Sequence, residues 1–517
     1  MANKQIFKSM IGKLLPKADA VNHENAPAYC FSDNHVLAQY AATGCFYSTF
    51  YASGVDQTNT LIELSRKVDP GFVARTAIYC RERGFMKDSP ALLCAVLSTR
   101  DRDLFVATFR RVIDSGKMLR NFVQIMRSGA VGRKSLGTLP KRMVKEWFDG
   151  RSDDLVFKAS VGQSPSMADV IKMVHPKPGN SGRQALYAHL IGREASPEAL
   201  PALVREFEEF KSGVCATIPD VPFQMLTALD LAPEHWMAIA RNGSWQMTRM
   251  NLNTFARHGV FSEPGLTELI AARLRDPEAI ASARAFPYQL LAASTSLAEG
   301  IPVQVREALA DAMELAISNV PKVPGKVVVC PDVSGSMASP VTGRRKGATS
   351  VVRCIDVAAL MAAAVLRGNS TATVIPFATG TVAITLDPNA PVMGNARKLA
   401  AIGGGGTNCS APLALLNQQK AKGDLVIYVS DNESWVDAAK GRGTETMREW
   451  KVFKRRNPRA KLVCIDVQPY ATTQACERED TLNVGGFSDQ VFEVVTEFAS
   501  DRLSANHWID VIESVTV

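Results

Sequence analysis

Lys326-Val327-Val328-Val329-Cys330-Pro331, running straight into Asp332-Val333-Ser334-Gly335-Ser336, is the stretch that decides the fold. An apolar run of this length, bounded by turn residues, reads as a fully buried strand. It carries one carboxylate and two hydroxyls onto the turn at its C-terminal end. Open α/β sheets bind ligands and ions at that edge. An oxygen-only donor set suits a hard divalent cation such as Mg²⁺, which prefers octahedral geometry at about 2.0–2.1 Å and keeps several waters. Serine and aspartate also populate ordinary turns and helix caps, so the pentapeptide alone supports either reading.

Two later segments bear on the choice. Gly403-Gly404-Gly405-Gly406-Thr407-Asn408 is a glycine-rich loop ending in a hydroxyl, just before the apolar helical run Ala411 to Leu416. Asp424-Leu425-Val426-Ile427-Tyr428-Val429 repeats the buried-strand pattern and ends in Ser430-Asp431. Three loops can therefore bring Asp332, Ser334, Ser336, Thr407 and Asp431 to one edge of a sheet. With all five positions filled, the sequence resembles the metal-ion-dependent adhesion site of von Willebrand A-type domains, from about Val320 to the C-terminus. The resemblance implies a Mg²⁺ held by neutral hydroxyls and few carboxylates, with an open position for a carboxylate or phosphate oxygen of a partner. That is binding chemistry. No His or Glu is placed as a general base, so no catalytic residue is expected and the chain reads as a non-enzyme.

At 517 residues the chain has room for two to four domains. Its hydrophobic content of 46% and charged content of 21% are ordinary for a globular protein. No run approaches the ~20 apolar residues of a membrane-spanning helix, and no membrane partner is expected. Met1 to Pro16 alternates basic and apolar residues without signal-peptide architecture, and reads as a short amphipathic helix packed on the body. The ten cysteines are scattered singly with no CxxC, which reads as reduced thiols in a cytoplasm. His189 and His235 read as packed or capping residues.

From about Pro27 to Ser318 the periodicity is helical. Leu61–Leu64, Phe72–Ala77, Ala91–Leu97 and Leu104–Phe109 are successive short helical runs, with breaks at Asp69-Pro70-Gly71 and Asp88-Ser89-Pro90. Helix pairs at this rhythm suggest a HEAT-like α-solenoid; an irregular helical domain fits the periodicity too. Beyond Val320 strands and helices alternate, with strands expected at Lys326–Cys330, Ala372–Phe377, Thr381–Leu386, Leu425–Val429 and Lys461–Asp466, the pattern of a doubly wound parallel sheet. Pro321 to Gly325 is the natural linker. The expected division is an all-α domain over 1–320 and an α/β domain over 321–517.

The overall charge of +8 is mild, but its distribution is not. Arg110 to Lys145 holds ten basic residues against one acid, Asp114. A solvated helical face interleaves acids with bases, so their near absence points to an anionic partner, a phosphate backbone above all. Within this segment Arg127, Arg133, Lys134, Lys141 and Arg142 are candidate RNA contacts. Gly129 and Gly132 allow close backbone approach while Arg and Lys supply charge-assisted hydrogen bonds. Lys172-Met173-Val174-His175-Pro176-Lys177-Pro178 resumes the theme, either as an RNA-facing turn or as a proline-capped helix end. Arg241 to His258 interleaves Arg with Trp245, which suits single-stranded RNA or core packing equally. Lys451 to Arg459 reads as a solvated helix end.

A basic helical module followed by an A-type domain resembles the Ro autoantigen family, whose helical part is the TROVE module. Arg127 to Phe148, Ser164 to Pro178, Ala285 to Gln289, Gly406 to Ser410 and Ser430 to Ser434 carry the likeness, which spans roughly Ala28 to Phe498. It implies a closed ring of HEAT-like helix pairs. Y-like small noncoding RNA would bind the ring's outer basic face, and single-stranded 3′ ends of misfolded RNAs would enter its central hole. The protein would then be a monomeric cytoplasmic scaffold in RNA quality control that tethers an exoribonuclease such as polynucleotide phosphorylase. By position, Lys158 and His175 match residues the family uses for Y RNA, while Gly162 replaces a basic residue. A reading from another class is a metal-dependent adhesion or chaperone module without RNA. A two-metal nuclease lacks the clustered Asp and Glu it needs.

Overall fold

The computed structural model describes residues 16–44, 46–162, 164–283, 287–317, 325–344, 352–436, 443–503 and 506–517. The helix expected before Pro16, the linker up to Pro324 and the Ala285-Phe286 part of the Ala285–Gln289 turn lie outside them.

The strands are β1 (Ala20–Val21), β2 (Pro27–Cys30), β3 (Val327–Pro331), β4 (Thr373–Val374), β5 (Leu425–Ser430), β6 (Lys461–Asp466), β7 (Thr472–Thr473) and β8 (Thr481–Gly485). Five of them form one parallel sheet in the order β4-β3-β5-β6-β8. Every residue of β3 and β5 is buried, as continuous Val/Ile/Leu runs require when helices cover both faces. The helix Cys354–Gly368 packs on β3 and β5, and the helices Ala411–Gln418 and Glu445–Arg456 pack on each other. Val328, Cys330, Phe377, Val426, Tyr428, Trp450, Phe453 and Leu462 close one core cluster.

One strand expectation fails for a physical reason, and one strand was not foreseen. Thr381–Leu386 alternates like a strand, yet its one ladder contact is the isolated bridge from Thr381 to Phe377. Alternation without a neighbouring edge does not make a strand. β8 was not among the expected strands; its buried Asn483 is satisfied by the Ala475 carbonyl, Glu477 and Thr473. A buried amide with its partners in place is tolerated.

The chain falls into two compact units. One comprises Met1–Leu64, Phe286–Ala292 and Met313–Ser514, and the other Ser65–Ala285, Ala293–Ala312 and Val515–Val517. This differs from a division at 320/321, because the early residues pair with the late ones. β2 runs antiparallel to β7, with Tyr29 opposite Thr473, and the Asn22 amide donates to the Ser434 carbonyl at 2.6 Å.

The second unit is all-α over its described residues, as the helical rhythm predicts. Pro70–Glu82, Asp88–Leu97, Arg102–Val112 and Gly116–Ser128 pack successively on one another. The break at Asp69-Pro70 is a helix start: Asp69 caps the Phe72 amide at 3.1 Å and Pro70 takes the first turn, where its missing N–H costs nothing. Asp88-Ser89-Pro90, expected as a break, is the first turn of the next helix for the same reason. Phe105, Phe109 and Phe122 meet in the core with ring centroids 5.1–5.9 Å apart.

Candidate metal centre and basic surface

The five residues expected at the metal site sit on three loops at the C-terminal edge of the parallel sheet, and backbone bonds stitch those loops together. The Asp332 amide donates to the Val429 carbonyl at 3.0 Å, Gly335 to Gly405 at 2.9 Å and Gly404 to Val333 at 3.0 Å. The amides of Trp435 and Val436 both donate to the Thr407 carbonyl, at 3.0 and 3.2 Å. Gly405 is held at φ +83°, left-handed backbone that favours glycine. At Gly406 a Cβ would lie 2.6 Å from the Trp435 ring. The glycine run is what lets the loop pass this close.

Asp332, Ser334, Ser336, Thr407 and Asp431 are all buried. Asp332 Oδ1 accepts from the Ser334 amide at 2.8 Å, and its Oδ2 accepts from the Ser430 hydroxyl at 2.6 Å. The Ser334 and Ser336 hydroxyls lie 3.3 Å apart. Burial pushes the Asp332 carboxyl upward. Burial, then the Asp332 charge, pushes Asp431 up to about 8. Asp466, at the end of β6, is also driven well up, by burial and then by Asp431 and Glu433. Carboxylates that oppose one another's ionisation in a buried edge are what a divalent cation neutralises.

The donor set therefore fits a hard cation. Among the described residues no group of three or more His, Cys, Asp or Glu side chains is arranged to hold a metal ion. A cation here would rest on the Ser and Thr hydroxyls together with Asp332 and Asp431, while Asp466 is taken up by the Asn432 amide.

Sequence reasoning missed the surroundings of this edge. Ser430 orients Asp332, a role its place before Asp431 could have suggested. The buried Glu433 accepts from the His23 amide at 2.8 Å and meets His23 Nδ1 at 2.9 Å. That hydrogen bond is the chief cause that raises the imidazole above its usual range. No local signal links residues 23 and 433.

The candidate RNA residues lie in the helical unit. The helix Met167–Val174 packs on both Gly116–Ser128 and Thr138–Asp149. Arg127, Arg133, Lys134, Lys141, Arg142, Lys172, His175 and Lys177 are exposed. Asp169, held below the usual carboxylate range by the Ser166 hydroxyl and amide, also feels Lys172 and Arg127. Those two cations thus converge from different helices. His175 ends its helix in the left-handed region at φ +50°, so helix end and outward histidine are the same residue.

Several bases expected to be free are engaged. Glu146, one position beyond the basic run, pairs with Arg110 at 3.1 Å and Arg142 at 3.5 Å. Arg111 pairs with Glu82 at 2.7 Å, and Lys158 with Asp220 at 2.6 Å. Arg120 donates to the Ala159 carbonyl at 2.7 Å and lies over Gly162, where a Cβ would be 2.6 Å from its guanidinium. Lys117, Arg127, Arg133, Lys134, Lys141 and Lys145 have no ion-pair partner within 4.0 Å among the described residues. Trp245 is core: it is buried, and its indole N–H donates to the Leu274 carbonyl at 3.1 Å. In the α/β unit, Lys454 donates to the Ala460 carbonyl at 2.8 Å, as a helix-end lysine does.

Residues 326–499 match the family described as the Ro60 vWA domain. Over 516 aligned residues the chain is 25% identical to a Deinococcus radiodurans protein named RNA-binding protein RO60, covering 92% of this chain and 94% of that one. It is 23% identical to a Caenorhabditis elegans protein of the same name, over 50% of this chain and 41% of that one. Its fold matches the crystal structure of the D. radiodurans RO (RSR) protein with a TM-score of 0.62 at 21% identity, covering 91% of this chain and all of the other. Its α/β part thus matches the Ro60 vWA domain family, and over about nine tenths of its length the chain is similar in sequence and fold to a bacterial Ro protein.

Proposed function

We propose that this chain is an RNA-binding scaffold without catalytic activity. The observation that carries the reading is the set of exposed cations without an ion-pair partner among the described residues: Arg127, Lys141 and Lys172 on three helices, with Arg133 and Lys134 in the loop joining two of them. Phosphate backbones reward such a surface through counterion release. Two relatives named as RNA-binding proteins support it. In finer detail, this face takes a structured Y-like RNA, with His175 and Lys177 at its border. Single-stranded 3′ ends of misfolded RNAs enter the hole that the Ro resemblance implies, and a tethered exoribonuclease such as polynucleotide phosphorylase degrades them. The protein works as a monomer in the cytoplasm, where its cysteines, outside any disulfide among the described residues, stay reduced. Among the described residues no helix is long and apolar enough to cross a membrane.

At the sheet edge Asp332, Ser334, Ser336, Thr407 and Asp431 would hold Mg²⁺. When bound, the ion supplies an electrophilic position for an acidic group of a partner. The test is RNA extraction from the purified chain, followed by binding of a structured RNA at ~50 mM salt, where counterion release is strongest. An RNA-free protein that binds none sinks the reading.

One observation favours the adhesion reading for the α/β unit: Trp435, 44% exposed, stands beside Gly406 with the exposed Val436. Partner capture sensitive to EDTA but indifferent to ribonuclease would assign the chain to that class instead.

A further inference from the structure

A cavity of about 550 Å³ opens between the N-terminal segment, β7 with the residues after it, and the C-terminal helix Trp508–Glu513. It lies outside both sites described above. We propose that this cavity binds a small organic cation, an ammonium or guanidinium group on a short chain.

The floor carries a buried ring nitrogen without a hydrogen-bond partner among the described residues. His35 lines the cavity and is buried, its ring stacked face to face on Phe31 at 4.0 Å and edged by Trp508 at 5.4 Å. Its Nε2 is buried and has no hydrogen-bond partner among the described residues. Burial drives the imidazole down to about 3, so the ring is neutral at neutral pH. With the proton on Nδ1, a neutral imidazole offers a lone pair at Nε2. A buried polar atom without a partner is costly, and an N–H donor in the cavity removes that cost.

The rim selects the sign of the guest. Asp19, Glu477 and Glu513 line the opening against one lysine, Lys17. Asp19 Oδ1 accepts from the Cys30 amide at 2.8 Å, and Glu477 Oε2 from Asn483 at 2.6 Å. These bonds fix both carboxylates in place and leave each a second oxygen for a guest. Burial pushes Glu477 up to about 7, so Asp19 and Glu513 carry most of the negative charge that disfavours phosphates and carboxylates here. A bare metal ion has no group of three or more His, Cys, Asp or Glu ligands to hold it among the described residues. A guest with directional N–H donors satisfies His35 and the rim together, and the Phe31 face accommodates its charge. The volume lies within the range of small-molecule sites.

The chemistry could come from a free amine or from a basic side chain of a protein, and the probes separate the two. RNA-free full-length protein is titrated calorimetrically with agmatine and, separately, with a capped tripeptide carrying one arginine. One-to-one binding of either, weakened at least tenfold by Glu513→Gln on the exposed rim and by His35→Phe on the floor, is the expected result. Agmatine alone binding assigns a free amine, and the peptide alone binding assigns a protein side chain. Neither probe binding overturns the proposal, and so does binding that both substitutions leave unchanged. Should His35→Phe fail to fold, Glu513→Gln decides. RNA affinity, measured in parallel, is expected to be unchanged, so the outcome is independent of the RNA reading.

Discussion

The two candidate sites solve opposite electrostatic problems. At the sheet edge like charges are buried and tied: Asp332 is 0% exposed with both oxygens already accepting, and Asp431 is 2% exposed beside it. On the helical unit like charges are spread over exposed helix surfaces with few acids near them. The buried cluster is confined to one point, so a single small ion would suit it, and screening by salt would matter little there. The exposed cluster answers to a long polyanion, and salt screens it steeply.

The sharpest way to break this contrast is Asp332→Ala. Binding of Mn²⁺, used as a spectroscopic stand-in for Mg²⁺ and followed by electron paramagnetic resonance, should be abolished, a larger loss than the ~10–100-fold typical of outer-shell substitutions. RNA affinity should stay within twofold. A matching loss of RNA binding would mean that the two sites are one.

Next comes the exposed side. Replacing Arg127, Lys134 and Lys141 with alanine should lower the slope of log K against log salt by up to about 2.7, and weaken binding roughly 10²–10³-fold near ~0.1 M salt. Filter binding across a salt series reads both, and an unchanged slope would remove these residues from the interface.

The third expectation concerns acid stability. His35 is held neutral in the folded chain, its pKa lowered from 6.5 to about 3. Its contribution is present above the unfolded value and is lost as pH falls from 6.5 towards 3. The slope approaches about 1.4 kcal/mol per pH unit. Thermal unfolding of the α/β unit at two or three pH values should therefore show wild type weakening faster with acid than His35→Phe.

The smallest effect separates paired from unpaired bases. Glu146→Gln releases Arg110 and Arg142, and since exposed ion pairs are worth at most about 1 kcal/mol, RNA affinity should rise by no more than about fivefold. A fall would show that Glu146 positions those arginines for RNA.

The candidate metal edge was legible in part because Asp332, Ser334 and Ser336 follow the buried strand β3, and Asp431 follows β5, within a few residues. Ser334 needed no tertiary knowledge to be placed, whereas Thr407 follows the helix Val392–Ala400 and its loop reaches the edge through bonds to Val333 and Gly335. The basic surface was legible only in part. Counting charge along Arg110 to Lys145 could not see Glu146 just past its end, nor Asp220, which lies far along the chain and engages Lys158. Ion pairing depends on which helices become neighbours, and composition does not carry that. The pairing of β2 with β7 was invisible for the same reason: two-residue ladders carry too little pattern, and their partners lie at opposite ends of the chain.

That pairing has a kinetic consequence. Tyr29 meets Thr473, and His23 meets Glu433, only after nearly all of the chain has left the ribosome. The helices from Ser65 onward form their contacts within short stretches and can fold as they emerge. Residues 20–30 are made before β7 and can dock on it only once it has emerged. The early strand therefore waits for its late partner, and proximity in the fold is bought at the greatest separation in synthesis.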